Sequence, residues 1–203
     1  MQTPETVFEQ TYRHYLGQLG GVDFESIAAR IGAQVAGNRL KIPLFGDEYE
    51  ISPQKITDIS GKKPPHDICV ILSKYILLGP PAAIEAGAWV SFRDLRDSGP
   101  LIHYFANEVE RAIADRFARR TPELEEAGSL LGGCRPALDL NYDFSMQFAA
   151  LPKIALLLLF NDADDEFPAQ CSVLFESRAE KHLDAECIAM LGWQLSHRLK
   201  KAY

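Results

Sequence analysis

The stretch LDLNYDFSMQF (138–148), AALPK (149–153), IALLLLF (154–160) and NDADDEFP (161–168) decides the fold. In its first part Leu138, Leu140, Tyr142, Phe144, Met146 and Phe148 alternate with Asp139, Asn141, Asp143, Ser145 and Gln147. Residues two apart share one face of a strand, so the alternation predicts a half-buried strand. Leu151-Pro152-Lys153 reads as a turn, and the unbroken apolar run Ile154 to Phe160 as a strand buried on both faces. An acidic loop then closes the stretch. Burying Leu140, Tyr142, Phe144, Met146 and Phe148 contributes on the order of 10 kcal/mol before entropy. A register slip of one residue would turn that face to water, so the pairing should be well defined. The expected fold is α+β: an antiparallel or mixed sheet with a central hairpin at about 138–160, packed by several helices.

The flanking sequence supplies those helices. Thr3, Pro4 and Glu5 read as N-cap, first helical position and first-turn acid, with Phe8, Tyr12, Tyr15 and Leu19 along one face and Gly20-Gly21 as the stop. A second helix starts near Asp23, turns Phe24, Ile27 and Ile31 inward and ends at Gly32, giving an N-terminal helical segment over about 1–32. Leu40, Ile42 and Leu44 alternate before Gly46-Asp47, and Tyr49 and Ile51 after it, which predicts a hairpin with Pro43 on an edge strand. His66 to Leu78 reads as a buried helix after the linker-like Gly61-Lys-Lys-Pro-Pro65, and Trp89 to Phe92 as a short strand. Ile102, Phe105, Val109, Ile113 and Phe117 form a helical stripe, Thr121-Pro122-Glu123 caps another helix that stops at Gly132-Gly133, and Asp184 caps the last, with Ile188, Leu191, Leu195 and Leu199 inward.

At 203 residues the chain fits one domain, 1–203, and would bury about 70% of its unfolded surface. The net charge of −7 disfavours nonspecific binding to nucleic acid or anionic membranes, which select for basic surfaces. Met1-Gln-Thr-Pro-Glu lacks the basic and apolar regions of a secretory signal, and Ile154 to Phe160 is too short to span a bilayer. Cys69, Cys134, Cys171 and Cys187 form no C-x-x-C pair, so reduced thiols in a cytoplasmic protein are expected.

Two segments can carry chemistry. In the acidic loop Asp162 to Glu166, Asp164, Asp165 and Glu166 offer hard oxygen ligands to a divalent metal. The EF-hand template fails there, because Phe167 takes the glycine position and Val173 the bidentate glutamate position. The plainer reading is a solvated loop that keeps an apolar strand end soluble, with Phe167-Pro168 folding it back on the core. Asp139 and Asp143 share a face but lie roughly 13 Å apart, too far for one metal. The second segment is the turn from Phe92 to Gly99, where Arg93, Asp94 and Arg96 can hold a small anion beside a helix start. Local Arg–Asp pairing that orders the turn is the plainer reading there. No glycine-rich nucleotide fingerprint, nucleophile elbow or histidine metal motif occurs, and no cofactor is identified.

Trp89-Val-Ser-Phe92-Arg-Asp-Leu95, Gly132-Gly133, Leu151-Pro152, Leu159 to Pro168 and Leu174-Phe175 form a spaced series of motifs, of which Asp165-Glu-Phe-Pro168 is the most specific. Together with the closing helix they resemble the bacterial and archaeal domain-of-unknown-function family 3786, over roughly Leu40 to Leu199. That resemblance implies a setting in anaerobes. Relatives with an added cysteine-rich segment resemble iron–sulfur proteins, but this chain lacks the segment, so no cluster is carried over. The expected function is a noncatalytic ligand-binding or accessory protein of cytoplasmic anaerobic metabolism, its partner an unknown small molecule or protein. The alternatives are a divalent-metal-dependent enzyme using the acidic loop and a structural oligomerisation module.

Overall fold

The computed structural model describes residues 6–138 and 140–202. Among them the strands form two antiparallel sheets. The first takes β1 (Gln34–Val35), β2 (Leu40–Leu44), β3 (Asp47–Ile51) and β4 (Ile56–Asp58) in sequence order. The second takes β5 (Trp89–Ser91), β6 (Phe144–Leu151), β7 (Ile154–Asn161) and β8 (Gln170–Glu176) in the order β5-β8-β7-β6. Helices α1 (Val7–Leu19) and α2 (Phe24–Ile31) precede the first sheet, and α3 (His66–Leu77) links the two. Between β5 and β6 run α4 (Ile102–Phe105), a π-helical segment (Ala106–Arg111), α5 (Ala112–Phe117) and α6 (Thr121–Leu130); α7 (Ala185–Ala202) closes the chain. The fold is α+β.

The hairpin β6–β7 is present, with a shorter first arm than the alternation suggests. The ladder starts at the Phe144–Phe160 pair. Leu138 and Tyr142 are exposed and Leu140 is half-buried, while Asp139 lies outside the described residues. The physical reason is a change of partner. The Asp143 N–H donates to the Asn161 side chain, and the Asp162 N–H donates to the Asp143 carboxylate, so side chains take over from the backbone ladder there. Beyond that point Met146 and Phe148 alternate inward as expected, and Ala150 is buried after them. Strand β7 is buried on both faces: Leu156, Leu158 and Phe160 enter the main apolar core, and Leu157 and Leu159 are screened by flanking strands.

The β6–β7 turn is where the layers are joined. A bulge between Ala149 and Leu151 takes Ala150 out of the ladder, and its carbonyl accepts from the Phe45 N–H of the first sheet at 3.0 Å. Phe45 and Gly46, rather than Gly46 and Asp47, form the β2–β3 turn, with positive φ at both residues (47° and 82°), the type I′ geometry. For the buried Phe45 that conformation costs about 1 kcal/mol, offset by its contacts. Strand β2 is second in its sheet rather than at the edge, but β1 pairs only with Leu40 and Lys41, so among the described residues no strand pairs with Pro43 on that side. The Tyr75 hydroxyl of α3 donates to the Ile31 carbonyl and accepts from the Lys153 N–H, pinning the end of α2 and the hairpin turn together.

Helix termini follow the capping signals at α2 and α7 and depart from them at α1 and α6. Asp23 caps α2 and Asp184 caps α7 through their side chains, as expected. Helix α1 starts at Val7 with Thr6 as its cap, and Thr3, Pro4 and Glu5 lie outside the described residues. Phe8 is exposed rather than inward, touching the His66 ring instead. Thr121 does not cap α6, because its hydroxyl is drawn to Asp162. The stripe Phe105, Val109, Ile113 and Phe117 is fully buried. Steps of four turn an α-helix through about 400°, a drift of roughly 40° per step; the wider π segment absorbs it and keeps the stripe on the core.

Two measurements test this packing. A β-carbon on Gly192 of α7 would lie 2.4 Å from the Phe105 ring. Gly192→Ala gains about 1 kcal/mol of helix propensity but overpacks a core that resists by about 1–3 kcal/mol, so urea denaturation should show net destabilisation. His182 is fully buried, stacks on Tyr75 with ring centroids 5.6 Å apart, and neither ring nitrogen has a hydrogen bond among the described residues. Burial, then Arg178 and Lys153, lower its pKa from 6.5 to about 4. The folded state thus binds fewer protons than the unfolded state between those values. Stability should fall as pH drops from about 6.5 to 4, by on the order of 3 kcal/mol, and His182→Phe should remove that slope.

Candidate functional site: an acidic cleft at the end of the central hairpin

The last β7–β8 pair is Asn161–Gln170, and the acidic loop bridges it. Asp162 is the organiser. One carboxylate oxygen accepts from the N–H groups of Arg119 and Ala163, the other from the Thr121 hydroxyl at 2.8 Å. Burial alone would raise this carboxyl, but those donors outweigh it and hold it below the ordinary carboxylate value. Arg119 has a positive φ of 59°, an uncommon conformation that this bond from its N–H helps to hold. Its guanidinium reaches the Asp164 carbonyl at 3.4 Å and the Asp165 carboxylate at 3.5 Å.

Asp164 folds the rest of the loop on itself. Its Oδ1 accepts from the Glu166 N–H at 2.8 Å and the Phe167 N–H at 2.6 Å, and its own N–H donates to the Phe167 carbonyl. Those two N–H groups lower the Asp164 carboxyl, which stays exposed and ionised at neutral pH. Asp165, Glu166 and Phe167 are exposed, so the aromatic does not fold back on the core. Among the described residues no three His, Cys, Asp or Glu side chains are grouped to hold a metal ion.

The loop instead forms one wall of a cleft of about 440 Å³. Asn141, Tyr142 and Asp143 line it together with Asn161, Asp162, Asp164, Phe167, Pro168 and Gln170. The Asp143 N–H bonded to the Asn161 side chain and the Asp162 N–H bonded to the Asp143 carboxylate lock the segments, so the cleft is pre-formed. Tyr142 and Phe167 are 42% and 61% exposed, leaving aromatic surface beside the carboxylates. Arg119 and Tyr142 carry no motif that marks them as site residues, and Asp143 joins the site through its bond with Asp162. The excess of Asn and Asp at 139–143 was the signal available for the second wall, and the basic end of the Phe117 stripe the signal for Arg119.

The turn carrying Arg93, Asp94 and Arg96 lies elsewhere. It contains short 3₁₀ turns at Phe92–Asp94 and Gly99–Leu101 rather than a long helix start. Asp94 accepts from the Ser91 hydroxyl at 2.6 Å, the Ser98 hydroxyl donates to the Arg93 carbonyl, and the Arg96 N–H donates to Glu180. Arg96 lines a separate cleft with Lys74, Glu180 and Asp184, and none of the three residues lines the acidic cleft. Glu110, raised by burial, engages the Val173 N–H beyond the end of β5, with Arg93 favouring its charge. The same burial and Glu110 push the Cys171 thiol up, and burial takes Cys69 to about 11, so neither is an activated thiolate.

This geometry separates the loop's residues by role. Asp162→Ala should cost about 2 kcal/mol, because three donors lose a charged acceptor. Asp165→Ala, fully exposed, should change stability by less than about 0.5 kcal/mol. Chemical denaturation of both variants measures the difference.

Residues 23–198 match the family described as a domain of unknown function (DUF3786). The match takes in α2, both sheets and nearly all of α7, starting earlier than the motifs alone indicate and leaving α1 outside. No curated protein and no solved structure matches the chain. With most of its length under one family's pattern, the chain belongs to the DUF3786 family.

Proposed function

We propose that this protein is a single-domain, noncatalytic ligand-binding protein whose acidic cleft takes a small organic cation. The observation that carries the reading is the pairing of ionised, pre-positioned carboxylates with exposed aromatic surface in one cleft of about 440 Å³. A cation over a ring face gains about 0.5–2 kcal/mol, and carboxylates nearby add attraction while leaving the cleft wet. Asp162 and Asp164 already accept several internal hydrogen bonds, which favours a diffuse, weakly hydrated cation over a divalent ion needing close oxygen ligands. The cytoplasm of an anaerobe is the setting we infer, from the family resemblance and the four free cysteines.

Thermal denaturation with tetramethylammonium, putrescine, Mg²⁺ and Ca²⁺ tests the proposal. The organic cations should raise Tm, and Tyr142→Ala and Phe167→Ala should each weaken that response by roughly 2- to 30-fold. A response to Mg²⁺ or Ca²⁺ alone would sink the reading in favour of the metal-dependent enzyme.

A further inference from the structure

A second cleft, of about 500 Å³, opens where α7 meets the start of α3 and the end of α6, and it shares no residue with the acidic cleft. Its construction is different. Trp193, His197 and Lys201 stand four residues apart, so they share one face of α7 and line the cleft as a ladder. The Trp193 and His197 rings are stacked, with centroids 4.9 Å apart and planes 11° from parallel. Pro65, Ile68 and Leu131 supply apolar surface from other segments.

Polar groups between these surfaces are held by one another. Gln194, buried at 6% exposure, donates to Asp67 and accepts from Arg198 Nε at 3.0 Å; Arg198 in turn pairs with Asp47 at 2.6 Å. Asp67 also sits in the first turn of α3, where the helix dipole favours its charge. Asp47 is thus ion-paired with Arg198, and Asp67 is held by the Gln194 amide and the start of α3. Lys201 pairs with no carboxylate among the described residues and lies at the cleft rim, exposed.

We propose that this cleft binds a small planar aromatic anion, its ring against the Trp193–His197 stack and its negative group toward Lys201. The volume falls in the range of small-molecule sites, and the mixture of apolar wall and few convergent polar groups is that of such sites. The fixed Asp67–Gln194–Arg198–Asp47 chain provides a floor that needs no rearrangement on binding.

Titration of the intact protein with 1-naphthoate, followed by NMR of the Trp193 indole and the His197 ring, tests this. Saturable shifts of both are expected, with dissociation constants of roughly millimolar or better. Lys201→Glu should weaken binding about tenfold, while Asp165→Ala on the distant acidic loop should leave it unchanged. 1-Naphthylmethanol and 1-naphthylmethylammonium should bind at least about tenfold more weakly than the carboxylate. Lack of saturation, equal binding of the cationic analogue, or indifference to Lys201→Glu in a folded variant would each overturn the proposal.

Discussion

A strand with no polar face has to be covered everywhere, and β7 is that strand. Its run from Ile154 to Phe160 can be stable only between two other strands and beneath helices, because each exposed apolar side chain would forgo about 1.5–3 kcal/mol. The β6 and β8 ladders on either side, the helical stripe from Phe105 to Phe117 and the long helix α7 are answers to that requirement. Even the first sheet is tied to it through the Phe45–Ala150 bond, and α2 and α3 through the Tyr75 hydroxyl at the hairpin turn.

The two ends of β7 have opposite chemistry for the same reason. At the turn, the chain re-enters at once and every backbone group must find a partner inside the protein. At the far end the strands part, the ladder runs out, and the Asp143 and Asn161 side chains act as acceptors in place of missing strand neighbours. Carboxylates there first stabilise the loop; the cleft is a consequence of how they do it. The Asp162 and Asp164 carboxylates thus spend lone pairs on N–H and O–H donors of the fold, while Asp165 and Glu166 stay exposed.

Much of this was legible in the residue pattern. Alternation and apolar runs located β2, β3, β7 and the inward faces of α2 and α7, because periodicity is a local property set by backbone geometry. Thr121 shows where local reasoning fails. Its position before Pro122 is that of a cap, but Asp162, 41 residues away, competes for its hydroxyl and prevails. Leu138 and Tyr142 fail similarly: they continue an alternation that has no partner strand to pair with. The cleft's walls come from segments near 141–143 and 161–170, with Arg119 behind them, and no spacing rule connects those positions.

The sequence by itself determined the α+β class, the central hairpin, most helix faces and the family, since each rests on short-range periodicity or on motif spacing along the chain. Only the tertiary structure decided which polar groups are available to a ligand. That depends on which long-range donor reaches each carboxylate and on which side chains remain uncovered after packing. It separated Arg93, Asp94 and Arg96 from the acidic loop, and it brought Tyr142 and Phe167 to one cleft and Trp193, His197 and Lys201 to another.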